Sequence, residues 1–581
     1  MKGSRFRDPF RMKRFLVFLV LAGVVCVGLL LATGDWGTHL GGSSITPRSG
    51  GEYHAPLIND PPTLDPAMST DSTSSWSIMQ MFDGLVRQQS GTELSVAPCI
   101  ATSWEISTDQ KTYRFTLRED VHFHAFREWD RSAPGGRAMA TKNGGRLVEA
   151  EDFRYSFERV LRRETQSPRT VLFEPIEGAT DFMSGKSAHV HGISCPKKNV
   201  LEIHLERPFA PFLATMTMPG AFVVPREDAV DLKEEFARHP VGSGAFCFEH
   251  YRPGKELSMV ANANYFLGAP YLKKLTFHVV PDEEKRFEMF EDSFLHHSTV
   301  PDPKYDKVRE RESKYYPYLT EVSELGVYYY GMNTQKPPFD KPEVRRAISH
   351  AVDREAIRKY IKSERVDTAL SPLPPSLRRW GFTDPASMPI TFDLVRAGAL
   401  LDQAGYPLDP NTGLRVGFPR VPLDVPQGEE HRRVALAVQA NLADLGIEST
   451  IAVRSWKDHL MMVRKGDSAM FRMGWAADYK DPDNFLYYNF HSRNIGKSNQ
   501  SRYANPKVDQ LLDDARAKAG PDRLQLYREA EDIIVRDAAW ICLYYFKTAI
   551  VRQPNVRGID LTEFGEQQIR FDEVWLDRKD S

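Results

Sequence analysis

Cysteine is what the chain has least of: five in 581 residues. None are spaced as C-x-x-C, so a zinc ribbon or a thioredoxin-type redox pair is excluded. Cys99, Cys195, Cys247 and Cys542 are scattered and read as core residues, although export would permit disulfides. An excess of one charge is lacking too. The 76 basic and 78 acidic residues leave a formal net charge of −2, and no basic run stands in the body of the chain, so no nucleic acid partner is expected. Catalytic signatures are missing: there is no G-x-S-x-G, no H-E-x-x-H and no G-x-G-x-x-G. Gly496-Lys497-Ser498 ends like a phosphate loop, but His491 stands where the first glycine belongs. Ser194-Cys-Pro-Lys197 fits S-x-x-K without its companion motifs. His122 and His124 lie two apart in an apparent strand, and His296-His297 are adjacent, yet no third ligand is identifiable. The expectation is no metal, no cofactor and no enzymatic turnover.

What is present begins at the N-terminus. Lys2, Arg5, Arg7, Arg11, Lys13 and Arg14 precede an uncharged run from Phe15 to Ala32. A basic flank before an apolar core is the layout of a secretory signal or signal-anchor, and the run is just long enough to span a bilayer. The flank should stay in the cytoplasm, which places everything after Gly34 outside. Ala32-Thr33-Gly34 offers a cleavage site. Cys26 follows Val24 and Val25 where a lipobox wants small residues, which argues against lipidation. Residues 1–34 are therefore a signal peptide or signal-anchor, and 35–52, rich in Gly, Ser and Thr, a linker.

From about residue 53, strand-like and helix-like stretches alternate, which argues for mixed α/β lobes. Tyr113 to Leu117 alternates apolar and polar residues like a half-buried strand. Val344, Ala347, Ile348 and Ala351 keep helical spacing, with Asp340 as an upstream cap. Val434, Val438, Leu442 and Leu445 form a second stripe that Gly446 should stop, and a strand follows at Ile447–Val453. Asn505-Pro506 should open a third helix, ended by Gly520. Trp540 to Tyr545 reads as a buried strand. Segment 125–146, with Pro134 and four glycines among many charges, reads as a surface loop.

Several blocks recur in a telling order. Pro62-Thr-Leu-Asp-Pro66 precedes Phe82-Asp-Gly-Leu85, Ala101-Thr-Ser-Trp-Glu105, Tyr113-Arg-Phe-Thr-Leu-Arg118, His122-Phe-His124 and Ala150-Glu-Asp-Phe153. Later come Tyr328-Tyr-Tyr330, Met332-Asn-Thr-Gln-Lys-Pro-Pro-Phe339, Val344-Arg-Arg-Ala-Ile348, Asp353-Arg354 and Gly474-Trp-Ala-Ala-Asp-Tyr479 with Pro482. Each block is weak alone, but their joint order over roughly 53–560 resembles the peptide-, oligopeptide- and nickel-binding family (family 5) of extracytoplasmic solute-binding proteins of ABC importers, with the oligopeptide binders most similar.

The resemblance implies an α/β, two-lobed periplasmic-binding-protein-like fold (type II) with an extra domain on one lobe, closing by a hinge. Lobe I would combine 53–88, 205–330 and 548–581. The extra domain would be 89–204 and lobe II 331–547. The resemblance further implies that Asp478 pairs with a ligand's α-ammonium. That chemistry is sound because a fixed carboxylate offsets the desolvation of an entering cation; a structural cap near Asp481-Pro482 is the other reading. Trp475 would pack beside the ligand or in the core. Arg472, Arg464 and His431 would meet ligand carboxylates, and Trp456 would wall a pocket; surface salt bridges and ordinary packing compete with these roles. Tyr328 and Tyr330 share one strand face and Tyr329 the other.

Two departures stand out. A disulfide of some oligopeptide binders is replaced here by Gly326 and Ala476, and an acidic ligand contact by Ser74. The partners implied are short peptides and the membrane subunits of an ABC importer, with a membrane contact if the N-terminal segment is retained. The implied state is a monomer, periplasmic or otherwise extracytoplasmic. A non-peptide ligand (nickel chelate, haem, sugar) or a tethered sensor role are the alternatives.

Overall fold

The structure is a computed structural model and describes residues 46–88, 96–130, 137–378, 390–518 and 520–577. The expected signal segment and most of the linker lie outside these residues. All elements below belong to the unit Arg48–Ser581.

Three main sheets organise the chain. In the first, Glu52–Leu57, Lys274–Val279, Glu256–Ala261 and Phe246–Arg252 lie side by side in that order. Its outermost pair is parallel, joining strands more than 200 residues apart. Tyr53, Ala55 and Leu57 point inward by the two-residue period of a strand. They share a core with Trp76, Phe277 and Phe571. Trp76 Nε1 donates to Ile569 O at 2.8 Å, so the C-terminal segment closes over this core.

The second sheet runs Ala101–Ile106, Thr112–Leu117, Val200–His204, Ile193–Lys197. Thr112–Leu117 buries Tyr113, Phe115 and Leu117 and exposes Arg114 and Thr116, as its alternation predicts. The helix Ala150–Leu161 packs Phe153, Phe157 and Val160 into the same core. A reciprocal box between Glu149 and Asp152 satisfies its first free amides.

The third sheet is mixed and seven-stranded. Its main path is His297–Thr299, Trp540–Arg552, Leu319–Met332, Met470–Ala476, Val421–Pro426, Ser449–Arg454, with Asp367–Thr368 beside Trp540–Arg552. Tyr329 faces one core with Phe471 and Tyr545, whereas Tyr328 and Tyr330 face another with Met470 and Tyr544. The parity expected for the three tyrosines is observed, but both faces are cores, and all three rings are at most 1% exposed. Leu319–Met332 and Trp540–Arg552 pair antiparallel from Leu319↔Val551 to Gly331↔Trp540. At their other end, Leu319, Ala549 and Val551 pack with Phe287, Phe290 and Tyr305. This long ribbon therefore carries the chain between separate cores twice.

Local signals place most helices. Glu429–Asp444 ends before Gly446, which takes φ +80° as a left-handed stop, and the strand Ser449–Arg454 follows. Asn505 caps Pro506–Arg516 by accepting from Lys507 N. Three expectations are corrected. The helix Pro342–Ala351 takes Lys341 as its cap, not Asp340, because Pro342 fixes the first helical position. Gly520 opens the helix Gly520–Asp537; the preceding one has already ended at Arg516. Segment 125–146 is no mere loop: Phe126–Asp130 and Arg137–Ala140 pair as an antiparallel hairpin.

His122 and His124 are not in a strand. His122 makes one isolated bridge to Leu147. His124 is buried beneath Gly242 and Gly244, its Nε2 donating to Gly244 O at 3.0 Å. Among the described residues Cys99, Cys195, Cys247 and Cys542 form no disulfide with one another, and Cys99, Cys247 and Cys542 are buried. Among the described residues no helix is long and apolar enough to cross a membrane.

Candidate functional site

The strand Met470–Ala476 lies against Leu319–Met332 with Gly326 opposite Ala476 and Tyr328 opposite Gly474. Past its end, Ala477 N still donates to Leu325 O at 2.8 Å. The chain then turns through Asp478, Tyr479 and Lys480 into the helix Pro482–Phe490. Asp481 caps that helix by accepting from Asp483 N. Asp478 is therefore not the cap.

Three aspartates crowd into six residues, and their surroundings separate them. Asp483 is fully buried and takes both Arg516 Nε (2.7 Å) and Nη2 (2.9 Å), with the hydroxyls of Tyr479 (2.7 Å) and Tyr527 (3.1 Å). Burial opposes its charge, but the Arg516 guanidinium outweighs burial and holds the carboxyl below its ordinary range. Asp481 is buried with Arg523 Nη2 at 2.6 Å. Asp478 differs: its side chain is 36% exposed, and Arg169 Nη1 stands 3.8 Å from its Oδ1, beyond hydrogen-bond reach.

The backbone beneath Asp478 is fixed. Asn484 Oδ1 accepts from both Asp478 N (3.2 Å) and Trp475 Nε1 (2.9 Å). Gln88 Nε2 donates to Asp478 O at 3.4 Å. Tyr479, one residue on, is 1% exposed and belongs to the core that holds Phe115 and Phe157. Arg516 O accepts from Ala210 N at 2.9 Å. Asp478 thus sits where the third sheet's turn meets the second sheet's core, the one carboxylate of the three without a hydrogen-bonded cation.

The remaining sequence-derived residues divide into groups. Trp475 is half-buried against the core of Tyr329. Arg472 turns to the opposite face, its guanidinium 4.2 Å from the centre of the Tyr328 ring. Tyr328 Oη lies 3.3 Å from His431 Nδ1. Burial first, then the Arg472 charge, lower the His431 pKa to about 4, so its imidazole is neutral at pH 7. Neighbouring Glu430 takes Tyr544 Oη at 2.7 Å and Lys362 Nζ at 3.1 Å. Burial works against its charge, yet Lys362 and Tyr544 hold it at about 2.

The helix Trp456–Lys465 turns His459 inward, with Nε2 donating to Arg472 O at 2.8 Å. Trp456 lies 49% exposed over His459. Arg464 is exposed near the end of that helix and contributes only its carbonyl, to Arg502. The structure therefore brings Asp478 and Trp475 together through Asn484, brings Arg472 and His431 together through Tyr328, and leaves Trp456 and Arg464 on the surface. Ser74 is wholly buried in the helix Ser72–Met81 and presents nothing to a ligand.

Arg169, Asn484 and Gln88 were not singled out from sequence. Asn484 had a signal: Asp481-Pro482 starts a helix, and a residue in its first turn faces back toward the strand end. A separate cavity of about 460 Å³ is lined by Asp83, Arg87, Phe222, Phe564 and Arg570. None of the six expected residues borders it; Gln88 lines it and also donates to Asp478 O. Among the described residues no cluster of three or more His, Cys, Asp or Glu could hold a metal ion.

Comparison with known proteins agrees with this architecture. The chain is 28% identical over 511 residues to heme-binding protein A of Haemophilus influenzae, covering 86% of this chain and 88% of that one. It is 28% identical over 496 residues to the dipeptide-binding protein of Escherichia coli (82% and 86%). The structure superposes on the periplasmic binding protein DppA of Helicobacter pylori, solved in complex with the peptide STSA, with a TM-score of 0.74 at 27% identity over 91% of this chain and 99% of that one. The fold is thus the two-lobed periplasmic-binding-protein fold. Residues 95–497 match the bacterial extracellular solute-binding proteins, family 5, and the chain belongs to that family.

Proposed function

We propose that the chain captures short peptides outside the cytoplasm and passes them to an ABC importer, with Asp478 receiving the peptide's α-ammonium. The observation that carries this reading is the contrast among the three aspartates. Two are buried and neutralised by arginine, while Asp478 stands on a fixed backbone, partly exposed, with no hydrogen-bonded cation. A carboxylate so placed suits an incoming ammonium, because a charge-assisted hydrogen bond offsets part of the desolvation. Trp475 flanks the same position. The Arg472–Tyr328–His431 group supplies a cation to a ligand carboxylate, and Trp456 and Arg464 contribute only from the rim. The relatives named for dipeptide binding and the neighbour solved with a peptide support the ligand class.

The lobes are assigned as 53–88 with 205–330 and 548–581, and 331–547, with 89–204 as the extra domain. Residues 1–34 export the chain and, if retained, tether it. Its action is as a monomeric binding protein without turnover. Native mass spectrometry of protein purified without denaturation tests the ligand class. Released masses matching two- to five-residue peptides, lost in Asp478→Ala, are expected. A ligand-free protein that also ignores a peptide mixture would overturn the reading.

A further inference from the structure

Arg169 is placed with unusual care for a residue beside the expected ammonium site. Ser167 Oγ donates to Ala67 O at 2.5 Å and accepts from Arg169 N at 3.1 Å, which fixes the turn that bears the arginine. Arg169 Nε donates to Ser69 O at 2.6 Å. The side chain is 15% exposed, and its Nη1 lies 3.8 Å from Asp478 Oδ1. One of the five guanidinium N–H groups is thus used, and no described residue accepts from the other four. The fork is anchored on one side by Ser69 and faces Asp478 on the other.

A guanidinium here is awkward for a ligand that brings only a cation. An ammonium on Asp478 would lie within a few ångströms of Arg169 in a partly desolvated setting, where like charges repel strongly. The conflict disappears if the same ligand residue also brings a carboxylate. Arg169 then has an anion to hold, which its planar fork suits, while Asp478 holds the ammonium. The 3.8 Å spacing matches two groups on one residue. It cannot match the two ends of a tripeptide, which lie about 10 Å apart when extended.

Resting on the peptide reading above, we infer that Arg169 and Asp478 together form a subsite for a ligand whose first residue is acidic, an N-terminal aspartyl or glutamyl peptide. Arg169 is a specificity-determining residue, sorting peptides by the charge of their first side chain. It also gives the loose ion pair between Arg169 and Asp478, too long at 3.8 Å for a hydrogen bond, a role: each group can exchange this contact for one half of the same zwitterionic residue.

The test is calorimetric titration of the whole exported chain with Asp-Ala-Ala, Ala-Ala-Ala and Lys-Ala-Ala. The expected order is Asp over Ala over Lys, with at least tenfold between the first and last. Arg169→Gln should abolish or invert that order while still binding Ala-Ala-Ala, and Arg169→Lys should keep part of it. Circular dichroism and thermal unfolding of both variants confirm that each is folded. Binding of all three peptides with equal affinity would overturn the subsite while leaving the peptide reading intact. A uniform gain for all three peptides in Arg169→Gln would show that the arginine merely stands in for the ligand ammonium, and would also overturn it. No binding of any peptide would remove the peptide reading itself, and the subsite with it.

Discussion

Arg516→Met is the perturbation that best probes how the platform under Asp478 is held. Arg516 gives Asp483 two charge-assisted bonds, at 2.7 and 2.9 Å, and Asp483 is wholly buried. Methionine keeps the apolar stem and deletes the charge. Removing one partner of a buried pair strands the other, at a cost of about 3–5 kcal/mol. The hydroxyls of Tyr479 and Tyr527 still reach Asp483, so the lower end, about 3 kcal/mol, is expected, roughly a hundredfold in the unfolding constant.

The pH dependence follows from the sign of the shift. Arg516 holds the folded pKa of Asp483 below the unfolded value. The pair therefore stabilises above the unfolded pKa, and that stability is lost as pH falls through the folded one. In Arg516→Met the carboxyl pKa rises instead, so the deficit should be full at pH 7 and shrink as pH falls through about 4. Urea unfolding followed by tryptophan fluorescence at both pH values measures it, and the double variant with Asp483→Asn should recover part of the loss. A deficit under about 1 kcal/mol at pH 7, or one that does not change with pH, would refute the reasoning.

Other outcomes follow from particular contacts. His124 is buried, and burial lowers its pKa to about 4. The unfolded chain therefore binds the extra proton first, and stability should fall as pH drops from about 6.5 toward 4; NMR titration of the His124 ring should give a midpoint near 4, and one near 6.5 would contradict its burial. Cys pairs at Gly326 and Ala476 should fail to form a disulfide, because a Cβ at Gly326 would stand 2.2 Å from Phe546 Cδ2. Thiol counting by mass spectrometry should find both free, and pairing should appear once Phe546→Ala opens the space. Gly446→Ala should cost about 1 kcal/mol or more in chemical unfolding, since the residue sits at φ +80° and its Cβ would meet Gly413 O at 2.7 Å.

What the sequence made legible was local or carried by motif order. The stripe ending at Gly446 and the Asn505-Pro506 start depend on neighbours within one helical turn, so they read correctly. Tyr328 to Tyr330 gave its parity but not its surroundings, since two cores flank that strand and only packing reveals the second. The hairpin of 126–140 was hidden because its glycines and charges resemble loop composition, while strand pairing is set by partners across the turn. At the site, Asp478 was visible from its motif. Its contrast with Asp481 and Asp483 was not, because Arg523 and Arg516 arrive from a helix and a helix end some 30 to 40 residues away. Arg169 was invisible for the same reason: more than 300 residues separate it from Asp478.

The most direct test of the central claim is a cycle between ligand and protein. Affinities of Ala-Ala-Ala and its Nα-acetylated form would be measured for the natural chain and for Asp478→Asn. A charge-assisted bond to the ammonium is worth about 1.5–3 kcal/mol, so acetylation should weaken binding by roughly ten- to a hundredfold in the natural chain and by little in Asp478→Asn. An acetylation penalty of the same size in both proteins would contradict the account, because the ammonium would then be bound somewhere other than Asp478.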